Sequence, residues 1–493
     1  MVLGFNAVAL GLTAVLGLIY PAVRTAVDIT DPAIRGPGVP KAAWRLFQSL
    51  APRYATWARE RLSKGMAAGL SIQNISGTEW PLFGSVFFLW GVENLQEAWS
   101  AGDHTLPVEP RILAHDAIVT ASELVIDPKH ATWVQQHWGE NYLHRENVFY
   151  RMLVIAALAS RARLLHDGAH LDLLRNQVET FAAELDASRT GLLDDYPGQC
   201  YPGDVMAALA CISRADTVLG TDHGAMIARA LRGFTGARAT GYQLPPYFAD
   251  APTGRPTPIP RGCANSYMGL TAPELWPEQA KAWFARYDEM FWQERFPAAA
   301  FREYPKDVAH MNWTVDVDAG PVVDGAGISA SAFGVGAARK NGRFDRAYPL
   351  ATEMLALRWE WPGGVLLLPR VLSDQGDAPL LGEAAILWQL SVQPQAGFPV
   401  VKGGAIPPLV CIVLSIMLVL GGAIVVVAIR RLLRLWREPE PEVRSPGFQL
   451  ALWGACLMAA VGAAAAGYFT VGLALFLLGL MRPRVSKQPG ASN

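Results

Sequence analysis

Neither sign of charge is in excess in this 493-residue chain: 42 Lys and Arg against 43 Asp and Glu leave a formal net charge of −1. With no basic stripe interleaved with aromatics, nucleic-acid binding is not expected, and no global field draws the chain to anionic lipid. Cysteine is scarce, five in all, and Cys411 and Cys456 fall inside long apolar runs. That odd number is no disulfide framework, and no two cysteines stand at Cys-x-x-Cys spacing, so a structural metal is not expected. Few runs alternate β-branched with polar residues, which disfavours a sheet-based fold. A fixed sequence period of the kind that marks an open solenoid is also missing.

Long apolar runs are plentiful, in keeping with 51% hydrophobic content. Residues 408–429 run without a charge, and a bilayer core needs about 20 residues at ~1.5 Å each. A transmembrane helix is expected over 406–429. Arg430, Arg431, Arg434, Arg437 and Arg444 follow, so the positive-inside rule places 430–446 in the cytoplasm and the large preceding domain outside. A second run, 448–481, is long for one span and short for two, and reads as one tilted helix or a hairpin. Residues 1–23 are a third apolar segment, with no Lys or Arg at the start, which suits an uncleaved anchor better than a cleaved signal. The expected location is therefore a multi-pass protein of the plasma or inner membrane, with the lipid bilayer as a partner.

Between about 40 and 400, apolar residues recur at helical spacing and Gly/Pro/Asp clusters interrupt them. Segments 80–99, 147–166, 204–220, 280–292 and 325–342 are the clearest helices. An all-α fold is expected, specifically an (α/α)6 barrel of paired helices flanked by transmembrane segments. Such toroids gather functional residues at one end of the inner ring, where helix starts converge on a cavity.

Several helix starts carry chemistry. Cys200 precedes Pro202, Gly203 and Asp204, a helix-start pattern in which Asp204 can cap free amides. A thiol there feels the positive end of the helix dipole, which lowers its pKa for acid/base or nucleophilic work; the alternative is an inert cysteine. Cys211 stands roughly 16 Å further along the same helix direction, too far to share a metal or a disulfide, and reads as core. Asp316 and Asp318 alternate with valines, which points both carboxylates the same way, as an acid/base pair or as caps for the helix that follows. Trp313 lies just ahead of them. Tyr150 belongs to a polar cluster with Arg145, Glu146, Asn147 and Arg151 at another helix start. Glu79, Trp80, Tyr196 and Tyr201 add carboxylates and aromatics, which suit either a terpene cation or a sugar face.

ENVFYRMLVIAALA (146–159), then QCYPGD (199–204), then the Asp-rich stretch from Asp316 into Ala332-Phe333-Gly334 and ARKNGRFD (338–345), together resemble the linalool dehydratase/isomerase family over roughly residues 75–360. The resemblance implies an (α/α)6 barrel, cofactor-free lyase and isomerase chemistry on a small apolar alcohol, and a site at a subunit interface of a homo-oligomer. It matches Cys200 to the family's Cys-x-Pro cysteine and Tyr150 to its Asn-x-x-Tyr tyrosine. The family's histidine falls on Leu153 and its second cysteine on Leu209, so that proton relay cannot operate here unchanged. Cys200 would then act with Tyr150, Asp204 and Asp316 or Asp318. Two rival expectations stand beside it: a glycan-active envelope enzyme with carboxylates such as Glu79 and Asp316 facing one another, and a non-catalytic assembly factor with no convergent ionisable groups.

Overall fold

The computed structural model describes residues 2–437, apart from 317, 375 and 376, and beyond them only 456 and 459. The expected span over 448–481 lies, except for those two residues, outside the described part. The chain divides into two units, residues 23–415 and a second made from both ends.

The larger unit is mainly helical. Its principal helices are α1 (Lys41–Lys64), α2 (Ile75–Ser100), α3 (His115–Ile126), α4 (Val148–Leu165), α5 (Leu171–Ala187) and α6 (Pro202–Leu219). They continue with α7 (Gly262–Leu275), α8 (Pro277–Phe291), α9 (Ile328–Lys340), α10 (Phe344–Leu357) and α11 (Leu381–Ser391). Each of the five clearest expected segments coincides with one of these. α2, α4, α6, α7, α9 and α11 pack each against the next, and α11 returns to α2. The remaining helices lie outside this circuit: α1 and α3 against α11, α2 and α4, α5 against α4 and α6, α8 against α7, and α10 against α9.

Composition explains which helices are enclosed. α4 is buried on every side from Val148 to Ala162, as an almost uninterrupted apolar stretch requires. α1 and α5 bury one stripe and expose the other. Glycine allows the inner helices to come close. A Cβ on Gly91 of α2 would stand 2.9 Å from Leu387 of α11, and one on Gly336 of α9 would stand 2.2 Å from the Gln389 side chain.

At the C-terminal ends of α2, α4, α6, α7 and α9 a charge network links neighbouring helices. Arg214 of α6 donates to both oxygens of Glu274 of α7, at 2.9 and 2.8 Å, and Lys340 of α9 pairs with the same carboxylate at 2.7 Å. Arg163 of α4 reaches Glu93 of α2 at 3.3 Å, and the Arg214 guanidinium lies over the Trp90 ring. Burial alone would raise Glu274, but Arg214 and Lys340 prevail and hold it at about 2.

The few strands are short and antiparallel. β1 (Trp292–Arg295) pairs with β2 (Ala298–Phe301), and β3 (Thr314–Asp316), β4 (Gly320–Val323) and β5 (Ala326–Gly327) form a three-stranded patch just before α9. β6 (Glu360–Trp361) and β7 (Val365–Leu366) form a third, two-stranded pair.

Among the described residues two helices, Ala7–Asp28 and Pro408–Arg434, are long and apolar enough to cross a membrane. Within the smaller unit they run antiparallel: a Cβ on Gly421 would stand 2.7 Å from Ile19, and one on Gly11 would stand 3.4 Å from Ala428. Small residues at such a contact let two backbones approach, as in membrane-embedded pairs. Val419, Leu420 and Ile416 are exposed on the outer surface of the second helix.

Candidate active site

The opposite, N-terminal ends of the inner helices gather acids and tyrosines. Glu79 sits in the first turns of α2, whose N-cap, Asn74, accepts from the Gly77 amide at 3.0 Å. The Tyr196 hydroxyl donates to Glu79 Oε1 at 2.8 Å, tying α2 to the loop that precedes α6. In that loop Asp195 is buried and accepts from the Tyr201 amide at 2.6 Å. Pro202 occupies the first position of α6 and Asp204 the third. Asp204 caps no amide, contrary to the sequence expectation; its carboxylate joins the acidic cluster instead.

The electrostatics follow from crowding like charges in a poorly solvated space. Burial first, then Asp318 and Glu79, push Asp204 up to about 8. Burial raises Glu79 to about 7, with Asp318 adding to the rise and the Tyr196 bond opposing it. Asp195 is also held well above the usual carboxylate range, by burial and by Asp204. The cluster therefore carries protons at neutral pH.

Cys200 behaves differently from the sequence expectation. It is fully buried, and burial together with Asp195, Asp194, Asp204 and Glu146 drives its thiol well above the ordinary value. A helix N-terminus lowers a thiol pKa, but four nearby carboxylates and lost hydration outweigh it here. Its backbone carbonyl accepts from the Ala249 amide, which fixes the loop. Tyr150 is likewise a packing residue by geometry: it is buried and its hydroxyl donates to the Val125 carbonyl at 2.9 Å. Cys211 is buried within α6, as expected of a core residue.

Asp316 and Asp318 are held by different partners. Arg261 binds Asp316 at 3.0 Å, and the amides of Asp318 and Ala319 donate to the same carboxylate. Burial would raise Asp316, but these bonds hold it below its usual value. Asp318 lies past the end of β3, accepts from the Tyr247 hydroxyl, and is the member close enough to raise Asp204 and Glu79. Trp313 is 70% exposed, too open to line an enclosed cavity. Trp80 is half-buried beside Glu79, and the Tyr201 ring meets Tyr247 edge-on at 5.4 Å.

Sequence reasoning missed Asp195, Tyr247, Arg261, Tyr267 and Glu303. Arg261 bridges Glu303 at 2.7 Å and Asp316, with its guanidinium 4.3 Å from the Tyr247 ring centre, so it orients the rim. Glu303 also accepts from the Cys263 amide at the start of α7. Asp194-Asp195 just before the Tyr-Pro-Gly turn was the one legible signal. Beneath the acids lies an aromatic wall: Tyr267 packs with Phe83 and Phe333, and Phe87 stacks on Trp388. The buried Tyr267 hydroxyl has no hydrogen-bond partner among the described residues.

Among the described residues no group of three or more His, Cys, Asp or Glu is arranged to hold a metal ion. His166 and His170, four residues apart, flank a turn with positive φ at both, and His170 is engaged by Glu123 at 2.9 Å. No model of a known protein family matches the chain, and no curated protein is found similar to it.

Proposed function

We propose that the chain is a membrane-anchored (α/α)6-barrel enzyme of the lyase/isomerase type, acting without a cofactor on a small alcohol with an apolar body. The closed circuit of α2, α4, α6, α7, α9 and α11 supports the barrel reading, and the sequence resemblance to linalool dehydratase/isomerase supports the reaction class. The observation that carries the proposal is a carboxylic acid, Asp204 at about 8, held beside Glu79 at about 7 above an aromatic wall.

A carboxyl group that keeps its proton at neutral pH can give it to a hydroxyl oxygen. In the proposed step Asp204 donates that proton, the carbon–oxygen bond breaks, and water leaves with the bonding pair. The resulting allylic cation lies against the π faces of Phe83, Phe87, Phe333 and Trp388. Ionised Glu79 then takes a proton from the neighbouring carbon, and those C–H electrons form the alkene. Return of water at the other end of the cation gives the isomer, with the protons moving in reverse. The carboxylates thus replace the relay that Leu153 and Leu209 remove, and Cys200 serves packing. The apolar helices suit delivery of such a substrate from a bilayer, and the arginines from 430 to 437 favour a cytoplasmic end there, with the barrel outside.

The test is to incubate the detergent-solubilised full chain with linalool and geraniol and follow alkene and isomer by gas chromatography. Turnover that is lost in Asp204→Asn and kept in Cys200→Ala is expected. Turnover dependent on Cys200 and indifferent to Asp204 contradicts the assignment. A second reading, hydrolysis of an envelope glycan, is favoured by one observation: Asp204 also has a carboxylate partner, Asp318, at the open rim. It predicts release of reducing ends from cell-wall glycans, with no alkene from either alcohol.

A further inference from the structure

Away from the acidic cluster, the larger unit has a cavity of about 430 Å³ lined by Thr30, Pro32, Arg35, Gly36 and Lys402. That volume falls within the ~300–1,000 Å³ range of small-ligand sites. Its lining carries two cations and no carboxylate. Arg35 donates to the Tyr348 hydroxyl at 2.6 Å with its guanidinium 4.4 Å from the ring centre, so the group is stacked in one orientation while its other N–H donors have no protein acceptor among the described residues. The Lys402 ammonium has no ion-pair or hydrogen-bond partner there either. Two acids close by in the chain or beside Gly403 are already engaged. Asp31 accepts from the Ala33 and Lys41 amides, and Asp345 is held by Arg343 at 2.7 Å. Gly36 faces the Lys402 side chain: a Cβ there would stand 3.5 Å from Lys402 Cε, an ordinary contact.

Two unbalanced cations, one a fork fixed by stacking and one a mobile point charge, are complementary to a phosphate group. The setting indicates which phosphate. Thr30 follows directly on the apolar helix that ends at Asp28, and Lys402 closely precedes the one that starts at Pro408. Val400 and Val401, beside Lys402, are exposed. Phe296, 79% exposed, stands at the tip of the β1–β2 hairpin, whose Pro297 carbonyl accepts from the Leu409 amide at the start of that helix. Exposed apolar side chains beside basic ones, at the roots of two apolar helices, suit the headgroup layer of a bilayer.

We infer that the Arg35–Lys402 cavity is a phosphate-binding site whose ligand is the headgroup phosphate of an anionic phospholipid. The experiment uses the full chain, delipidated in a neutral detergent, titrated separately with phosphatidylglycerol, phosphatidylcholine and inorganic phosphate. Bound lipid is read by native mass spectrometry and bound phosphate by calorimetry. Lys402→Ala removes no hydrogen bond or ion pair among the described residues, and so is expected to retain the wild-type melting temperature; Arg35→Gln is the second variant. Preferential binding of phosphatidylglycerol, weakened about tenfold in each variant, is expected, because a charged hydrogen bond is worth about 1.5 kcal/mol. Saturable inorganic phosphate binding with the same variant dependence but no lipid preference keeps the anion site and assigns it a soluble ligand. Equal binding of both lipids, unchanged in Lys402→Ala and Arg35→Gln, with no phosphate binding, overturns the inference.

Discussion

The Tyr196 hydroxyl donates to Glu79 Oε1 at 2.8 Å and so links the start of α2 to the loop that carries Asp195 and Cys200. This bond favours the ionised form of Glu79 against burial and the Asp318 charge, which both oppose it. Tyr196→Phe is therefore expected to raise the Glu79 pKa and move the rising limb of the pH–rate profile to higher pH, with the fold unchanged by circular dichroism. An unmoved limb means that Glu79 is not the base.

Asp204 sets the falling limb. Its acid form is lost as pH rises through about 8, so turnover falls there. Asp204→Asn is expected to lower kcat by ~10²-fold or more.

The same group has a signed effect on stability. Its folded pKa lies above the unfolded value of about 3.9, so the native state holds the extra proton and stability falls as pH rises from about 4 to about 8. Asp204→Asn removes that cost and should stabilise the protein at pH 8 by ~1–3 kcal/mol, with little change at pH 4. Chemical denaturation at the two pH values measures it.

Cys200 should be chemically silent. Its thiol is buried and kept protonated, so alkylating reagents should not label it in the native protein, and Cys200→Ala should hold kcat within about threefold while costing ~1–2 kcal/mol of stability. Denaturation curves and mass spectrometry of alkylated protein check both parts.

At the C-terminal ends of the helices, Arg214→Ala leaves Glu274 with only Lys340, and removing one partner of this partly exposed pair is expected to cost ~1–3 kcal/mol. Because Glu274 is held at about 2, below its unfolded value, the stability it contributes is present above about 4 and is lost as pH falls towards about 2. Thermal melts across that range should show the wild type losing stability in acid more steeply than Arg214→Ala.

Helix positions were legible because α2, α4, α6 and α9 carry long apolar runs bounded by Gly, Pro and Asn, signals that are local in sequence. The cluster at their N-terminal ends was legible only in part. Glu79, Tyr196, Tyr201 and Asp204 stood out as polar residues at helix starts, and the structure brings them together. The protonation pattern was not legible, because it depends on burial and on carboxylates separated by more than a hundred residues: Glu79 and Asp318 act on Asp204 from α2 and from the end of β3. Local reasoning assigned Cys200 the dipole of α6 and nothing else, and so reversed the direction of its shift. Asp316 and Asp318 looked alike because alternation was the only information, whereas Arg261, fifty-five residues before Asp316, takes one of them and leaves the other to Tyr247.

Asp204 and its neighbours are expected to hold a proton at neutral pH. Infrared difference spectra of the full chain, titrated from acid to alkali with and without Asp204→Asn, follow the protonated carboxyl stretch directly. A carboxyl signal that disappears between about 7 and 8 and is diminished in Asp204→Asn is the predicted result. Loss of all carboxyl signal by about pH 5, the ordinary range for exposed acids, contradicts it.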